Sequence, residues 1–431
     1  MHQVGKAAGG MTGERVEHVT CLGCGCGCDD IAVTVRENRI VETSPPCPIG
    51  KAWFGDGSVT WEVLRDGKPA ALEEALADAA NLLVQSRGRL LVYIGLDLSS
   101  QAQRTAAEVA DLLLASVDTA TSETVAAGLL AAQRRGRATS TLGEIRNRAD
   151  LILFWGTDPA RRYPRFQSRY APEPTGIQIP AGRSGRTVIS VNIGADRGPP
   201  GADETVALEP GDEIAALSLM RAALQNRSPG EVSERLRAVV DLVPRLAAAR
   251  YAVLVHDAEP TAERRSPLRA EGLIALAQAL NGPTRAALCS LRAGGNRPGA
   301  ESVLTWQTGY PFAVSYSRGY PRYAPEQRGL SRLEAGHFGA ALVVGSPAFD
   351  ARTASALGRI DTIVIGPRAS QTAFRTRAAV DTGVAGIHEG GTGYRMDEIP
   401  LRLRPPLESQ RSAVQTLEAL SHGIQLRLRP A

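Results

Sequence analysis

Short apolar runs that stop at a glycine recur through this chain and set the class of fold it can adopt. Leu90-Leu-Val-Tyr-Ile-Gly95, Asp150-Leu-Ile-Leu-Phe-Trp-Gly156, Ala340-Ala-Leu-Val-Val-Gly345 and Thr362-Ile-Val-Ile-Gly366 are too short for helices and lack alternating polar positions. They predict buried strands. Thr187–Val191 and Ala252–His256 read the same way. Between them, helical periodicity starts at Leu72 and covers 99–115, 214–225 and 229–250, and the tail is helical from about Ser409. Strands that alternate with helices predict doubly wound parallel sheets, whose ligands bind at the carboxyl ends of the strands. The expected organisation is a flexible N-terminus over 1–18, a Cys-rich β subdomain over 19–60, and two α/β domains over 61–250 and 251–431 that can interleave. There is no internal repeat.

The Cys-rich segment carries the most specific chemistry. Cys21, Cys24 and Cys28 are spaced C-x2-C-x3-C, and Cys47 follows a hairpin of Ile31–Val35 and Arg39–Glu42 with its turn at Glu37-Asn38. Three thiols from one glycine-rich loop and one from a returning arm suit a cubane iron-sulfur cluster. A structural zinc site more often uses two paired knuckles. A loop that binds nothing is the competing reading. Cys26 breaks the pattern as a bystander or substitute ligand, and Cys289 reads as a buried structural thiol.

Charge and length exclude other classes. Net charge is +4 over 431 residues, with Arg spread along the chain, so nucleic acid is not an expected partner. No apolar run reaches the roughly 20 residues of a membrane span. Five of the six cysteines fall between positions 21 and 47, unlike a secreted disulfide framework. A cytoplasmic location is expected.

The cysteine block followed by Asp29-Asp30-Ile31 resembles the B subunit of formylmethanofuran dehydrogenases. So do Thr141-Leu-Gly-Glu-Ile-Arg-Asn-Arg-Ala-Asp150, Trp155-Gly156, Ser168-Arg-Tyr170, Glu209-Pro-Gly-Asp212, the run from Leu304 to Tyr323, and Gly393-Tyr-Arg-Met-Asp397. The resemblance implies a molybdopterin-oxidoreductase fold, with a cluster subdomain leading into α/β domains that grip a bis-pterin cofactor. It makes Cys21, Cys24, Cys28 and Cys47 the candidate [4Fe-4S] ligands, with Lys51 on the electron path.

Three departures bear on that implication. Active members hold molybdenum or tungsten through a cysteine or selenocysteine ahead of the Thr-Leu-Gly-Glu run. Here the interval reads Asp118-Thr-Ala-Thr-Ser-Glu-Thr-Val-Ala-Ala-Gly128, with no cysteine between Cys47 and Cys289 and no histidine between His18 and His256. Thr124 and Val125 stand nearest the lost ligand, and neither supplies a thiolate. Asn192-Ile-Gly-Ala-Asp196 replaces an expected Asp-Pro-Arg, and Tyr163 and Phe166 stand where histidines are expected. No molybdopterin or tungstopterin is therefore expected, and a bound cluster and an empty loop become level readings.

A scaffold that retains the fold without the redox metal is most similar to the B subunit of the bacterial formyltransferase/hydrolase complex of methylotrophic one-carbon metabolism. That complex moves a formyl group from tetrahydromethanopterin to a methanofuran-like carrier and releases formate. The partners implied are zinc hydrolase A-type, C-type and formyltransferase subunits and the carrier. The alternatives are a redox-active subunit that uses Glu123 or Asp118 as metal ligand, and a simple electron carrier. Arg318, Arg322, Tyr320 and Tyr323, with Tyr316, are candidates for carrier or subunit contact, against a packed Arg–Tyr loop. Gly294-Gly-Asn-Arg297 reads as a turn or an anion cradle, His256 and His337 as structural, and Arg395 with Asp397 as a local ion pair.

Overall fold

The computed structural model describes residues 13–227, 230, 232–260 and 264–429. Most of the expected N-terminal segment 1–18 lies outside the described residues. Residues 14–18 already belong to β1 (Glu14–Cys21), which pairs antiparallel with β2 (Cys28–Arg36), itself paired with β3 (Arg39–Ser44). The β2–β3 turn falls at Glu37-Asn38 as expected, with φ of 49° and 55°. Positive φ at both central positions is what a tight hairpin of this hand requires. Helix α1 (Pro48–Phe54) begins directly after Cys47, with Pro48 at its first position, where no N–H partner is needed.

The chain then enters the larger sheets. β4 (Val63–Arg65) and β5 (Lys68–Pro69) form a short hairpin, followed by α2 (Leu72–Gln85), β6 (Leu90–Ile94), α3 (Ser100–Leu112) and β7 (Ser116–Thr119). Next come α4 (Ser122–Arg135), α5 (Leu142–Arg148), β8 (Leu151–Trp155), and the short α6 (Pro159–Arg162) and α7 (Phe166–Arg169). β9 (Thr187–Ile193) and β10 (Glu204–Leu208) lead to α8 (Glu213–Leu224), α9 (Glu234–Val240) and α10 (Val243–Ala248). β11 (Tyr251–Asp257), α11 (Pro267–Leu280), β12 (Arg285–Leu291) and α12 (Arg297–Thr308) complete the middle of the chain. β13 (Val314–Ser315), β14 (Arg322–Tyr323), α13 (Gly329–Glu334), β15 (Ala340–Val344), α14 (Ala351–Gly358), β16 (Asp361–Gly366) and β17 (Ala378–Asp381) follow. The chain ends with β18 (Gly391–Tyr394), β19 (Pro400–Leu403) and α15 (Ala413–Leu428).

A five-stranded, wholly parallel sheet has the order β10-β9-β8-β11-β12. A nine-stranded sheet has the order β14-β13-β7-β6-β15-β16-β17-β4-β5, parallel from β7 to β17 and antiparallel at both ends. The α/β units interleave. The nine-stranded sheet draws strands from both sides of the five-stranded one, so the expected boundary at 250/251 falls inside the segment that builds the smaller sheet. The buried strands are two-faced. In β8, Leu151, Leu153 and Trp155 face the core under α8–α11, while Ile152 and Phe154 pack toward Val19, Ile31 and Phe166. In β6, Leu90, Val92 and Ile94 lie under α2, α3, α12 and α15, and Leu91 and Tyr93 face Leu333 and Leu357 of α13 and α14.

Two expectations need correction. The helix expected over 229–250 is two short helices, because the chain turns at Asp241-Leu242 and Pro244 restarts it. Residue 229 lies outside the described residues. The interval around Thr124 holds β7 and α4, neither of which its sequence announces.

The sheets reverse winding between β8 and β11 and between β6 and β15. Ligand clefts of doubly wound folds open at such points. At the second, Gly366 is obligatory: a Cβ there would lie 2.5 Å from the Gly345 backbone. The two sheets are joined by the loop after β12. Asn296, with 0% exposure, donates through Nδ2 to the Leu98 carbonyl at 3.1 Å, with Ser100 and Gln103 also in reach, and accepts from the Tyr394 N–H at 2.8 Å. Asn296→Ala strands several of these groups without water. It is expected to cost at least about 3 kcal/mol, read as a lowered unfolding midpoint, because each buried unsatisfied group costs about 1–3 kcal/mol. An unchanged midpoint would refute this account of the junction.

Candidate functional site

The Cys-rich loop is shaped by close backbone contacts. Gly294 packs so tightly on it that a Cβ would meet the Gly23 carbonyl oxygen at 2.2 Å. Gly25 faces the Arg292 carbonyl oxygen in the same way, at 2.1 Å. Cys24 bridges Ala293, and Gly295 N–H donates to the Leu22 carbonyl at 2.7 Å. The Gly294–Arg297 stretch is therefore neither a plain turn nor an anion cradle. It is a backbone seat for the cysteine loop.

Cys21, Cys24, Cys28 and Cys47 line one small cavity, whose remaining wall is mostly apolar, with Ile31, Pro45 and Phe54, and includes Arg165. Gly50 also lines it, and a Cβ there would make only ordinary contact with Cys21 Sγ, at 3.7 Å. Gly23 N–H donates to Cys21 Sγ at 3.4 Å. Among the described residues no three Cys, His, Asp or Glu side chains are drawn together tightly enough to hold a single ion. The four thiols stand around a space rather than a point. The donor set, apolar wall and backbone N–H suit a thiolate-ligated cluster.

Electrostatics differ among the thiols. Burial pushes Cys21 far up. Burial also raises Cys28, opposed by Arg169 and Arg165. Cys26 donates to Cys24, which holds the Cys24 thiol below its ordinary value and raises that of Cys26. Cys26 is fully buried in the core beneath the loop, where its carbonyl accepts from Tyr170 Oη at 3.2 Å. Cys289 is buried on β12, as expected.

Sequence reasoning missed Arg165 and Arg169. Arg165 grips Asp30 with two bonds of 2.8 and 2.7 Å, and Arg169 reaches Asp30 and Asp29. The signal was present in the paired acids after Cys28. They clamp the cysteine loop to α7. Tyr163 and Phe166, where histidines were expected, fill the core beside this clamp and are buried.

Other expected site residues are dispersed. Lys51 is exposed and lines an outer groove with Val41, Pro46 and Cys47, not the thiol cavity. Arg318, Tyr320 and Arg322 are exposed on the β13–β14 hairpin, whereas Tyr316 is buried and Tyr323 stacks on Tyr310 at 4.9 Å. The Arg–Tyr group thus does not form one site. His337 is exposed. Arg395 pairs with Asp397 at 2.7 Å, as expected.

Thr124 and Val125, at the start of α4, line a second cavity at the carboxyl end of β11, with His256, Arg269 and Arg292. No thiol lines it, so its donors do not fit molybdenum or tungsten. The carboxylates considered as replacements are engaged elsewhere. Asp118 is fully buried and accepts from the N–H groups of Thr119 at 2.9 Å, Ala313 at 3.2 Å and Gly329 at 2.7 Å. Glu123 pairs with Arg328 at 2.5 Å. Neither lines the cavity. Asn192 binds its own loop, accepting from Ser190 and from Gly198 N–H at 2.8 Å. His256 lies between the Asp257 carbonyl at 3.1 Å and Ser290 Oγ at 2.9 Å. Burial, then Arg269, lowers its pKa to about 3.

No family model matches the chain. The B subunit of the tungsten-containing formylmethanofuran dehydrogenase 2 of Methanocaldococcus jannaschii is 31% identical over 424 residues, which cover 94% of this chain and 97% of the relative. The protein of the same description from Methanococcus maripaludis is 30% identical over 426 residues, with equal coverage. The B subunit of the formyltransferase/hydrolase complex Fhc of Methylorubrum extorquens is 30% identical over 329 residues, 75% of this chain and 86% of that one. A chain in the crystal structure of the Methylorubrum extorquens formyltransferase/hydrolase complex with methylofuran superposes with a TM-score of 0.70 at 26% identity, over 85% of this chain and 99% of that chain. This chain belongs to the family of formylmethanofuran dehydrogenase B subunits.

Proposed function

We propose that the chain is a non-redox scaffold subunit of a hetero-oligomeric formyltransferase/hydrolase-type complex of one-carbon metabolism, with no molybdenum or tungsten of its own. The observation that carries this reading is the cavity beside Thr124. Thr124, which by sequence stands nearest the lost metal ligand, lines it, and it offers no thiolate. Overall identity does not decide the matter, because it is alike for the two tungsten-enzyme relatives and the Fhc relative, at 30–31%. The longer match to the tungsten enzymes favours a redox-active B subunit. That alternative needs a donor, and Asp118 and Glu123 are both committed to other partners. The superposition on one chain of a complex crystallised with methylofuran supports an assembly with zinc hydrolase A-type, C-type and formyltransferase subunits and a methanofuran-like carrier. No described helix is long and apolar enough to cross a membrane, which is compatible with the expected cytoplasmic location.

Cys21, Cys24, Cys28 and Cys47 would hold a [4Fe-4S] cluster, which supplies one-electron storage when bound. In a scaffold its role is to tie the hairpin to α1. His256 has both ring nitrogens engaged and stays neutral at pH 7, so it offers no proton for catalysis.

Metal analysis of the chain purified with its native partners is expected to find only substoichiometric molybdenum and tungsten, and formate-dependent dye reduction is expected to be absent. Stoichiometric metal with dye reduction would sink the proposal. Anaerobic reconstitution with iron and sulfide, followed by reduction with dithionite, is expected to give the EPR signal of a reduced cluster, lost in Cys28→Ser. In the cluster-free chain, alkylation should label Cys24 before Cys21. A chain that takes up no iron, with all four thiols alkylated equally fast, would remove the cluster from the proposal. The third expectation concerns pH. The unfolded chain protonates His256 near 6.5 and the folded chain only near 3, so below pH 6.5 the unfolded state binds the extra proton. Stability is therefore lost as pH falls from about 6.5 toward 3, and His256→Gln should flatten that slope of the unfolding midpoint. An equal slope in both proteins would contradict it.

A further inference from the structure

The cavity beside Thr124 is not inert space. Five arginines line it (Arg137, Arg264, Arg265, Arg269 and Arg292), and no carboxylate of the described residues does. The acids that partner these arginines lie behind the wall. Glu213 takes Arg264 and Arg269 at 3.0 and 2.7 Å, and Glu301 takes Arg292 at 2.5 Å. Asp196 and Glu398 hold Arg264 and Arg137 from outside. These pairings leave donors over. Arg269 is 4% exposed and Arg292 is 6% exposed. Arg269 Nη2 and Arg292 Nε are buried with no hydrogen-bond acceptor among the described residues. Glu259 Oε1 is 3.8 Å from Arg292 Nε, too far for a hydrogen bond.

A buried guanidinium N–H without an acceptor is costly, and the one left on each of Arg269 and Arg292 suits an oxygen of a carboxylate or phosphate. His256 and Ser290 also line the cavity but satisfy each other at 2.9 Å, so the arginines supply the recognition. Val125, Ile274 and Leu288 give the wall an apolar side. We propose that this cavity binds an organic oxyanion, a carboxylate or phosphate monoester on a compact apolar body, with Arg265, Arg269 and Arg292 as its donors. The site is independent of whether the chain is a scaffold. It needs no metal.

The test uses the full chain and three probes, inorganic phosphate, phenyl phosphate and benzoate, each compared with sodium chloride at matched ionic strength. Phenyl phosphate or benzoate is expected to raise the unfolding midpoint saturably and to titrate calorimetrically to one site. Whichever of the two binds tighter distinguishes a phosphate source from a carboxylate source. Arg265→Gln, at the exposed mouth, and Arg269→Lys, which retains charge beside Glu213 but loses the fork, should each weaken binding at least ten-fold. Val125→Phe, which narrows the cavity without touching an ion pair, should do the same while the chain remains folded. No stabilisation beyond that of chloride overturns the site. Binding unchanged in all three variants, or phosphate binding as tightly as phenyl phosphate, overturns the assignment to this cavity.

Discussion

The structure depends on the loop from Arg292 to Arg297, where one stretch of backbone touches every major part of the chain. Ala293 and Gly295 bond to the Cys-rich loop, and Asn296 N–H bonds to the Leu96 carbonyl at 2.7 Å, just beyond the end of β6. The Asn296 side chain holds the loop before α3 and the end of β18. Such approaches leave no space for a Cβ at Gly294 or Gly295, where it would clash with Gly23 or Leu96. The two winding reversals and the thiol cavity are therefore held in one fixed relation. A shift of the loop would move Arg292 at one cavity and the seat of Cys24 at the other.

Much of this was legible in sequence because the physics is local. Buried parallel strands must be apolar along their length, so β6, β8, β15 and β16 declared themselves, and positive φ at Glu37-Asn38 marked the hairpin. β7 was not legible. It is four residues long and ends in Asp118-Thr119, and the Asp118 carboxylate draws two of its three N–H donors from the distant Ala313 and Gly329. The helix over 229–250 was read as one because its apolar period runs across the break, although the chain turns at Asp241-Leu242 and restarts at Pro244. The cysteines were legible as a set. Their clamp was not, because Arg165 and Arg169 lie more than 130 positions from Asp29 and Asp30. The Arg–Tyr run from 316 to 323 was dense in sequence but divides between core and surface. Density along the chain does not imply convergence in space.

Charge is buried most heavily at the edges where doubly wound sheets bind their ligands. Trp155 Nε1 donates to Glu213 at 2.7 Å beside Arg264 and Arg269, and Thr121 Oγ1 donates to Glu301 at 2.9 Å beside Arg292. Buried ion pairs of this kind contribute little net stability, because desolvation offsets most of their attraction. Their position is informative instead. Glu301 and Glu213 neutralise arginines that line a ligand cleft, so carboxylates of the chain itself take up part of the positive charge there.

That substitution bears on the missing thiolate. The start of α4, where a metal ligand would project, is fastened to the interior by Thr121 and Glu301 and, on its outer side, by Glu123 and Arg328. Residue 124 thus sits on a helix start fixed by polar contacts on both sides. A single restored sulfur would meet a helix already anchored by other partners and a cavity whose charge is arranged for an anion. The groups that hold the fold, at Asn296 and the Arg165–Asp30 clamp, are separate from Thr124 and the start of α4, so the fold does not depend on a metal ligand there.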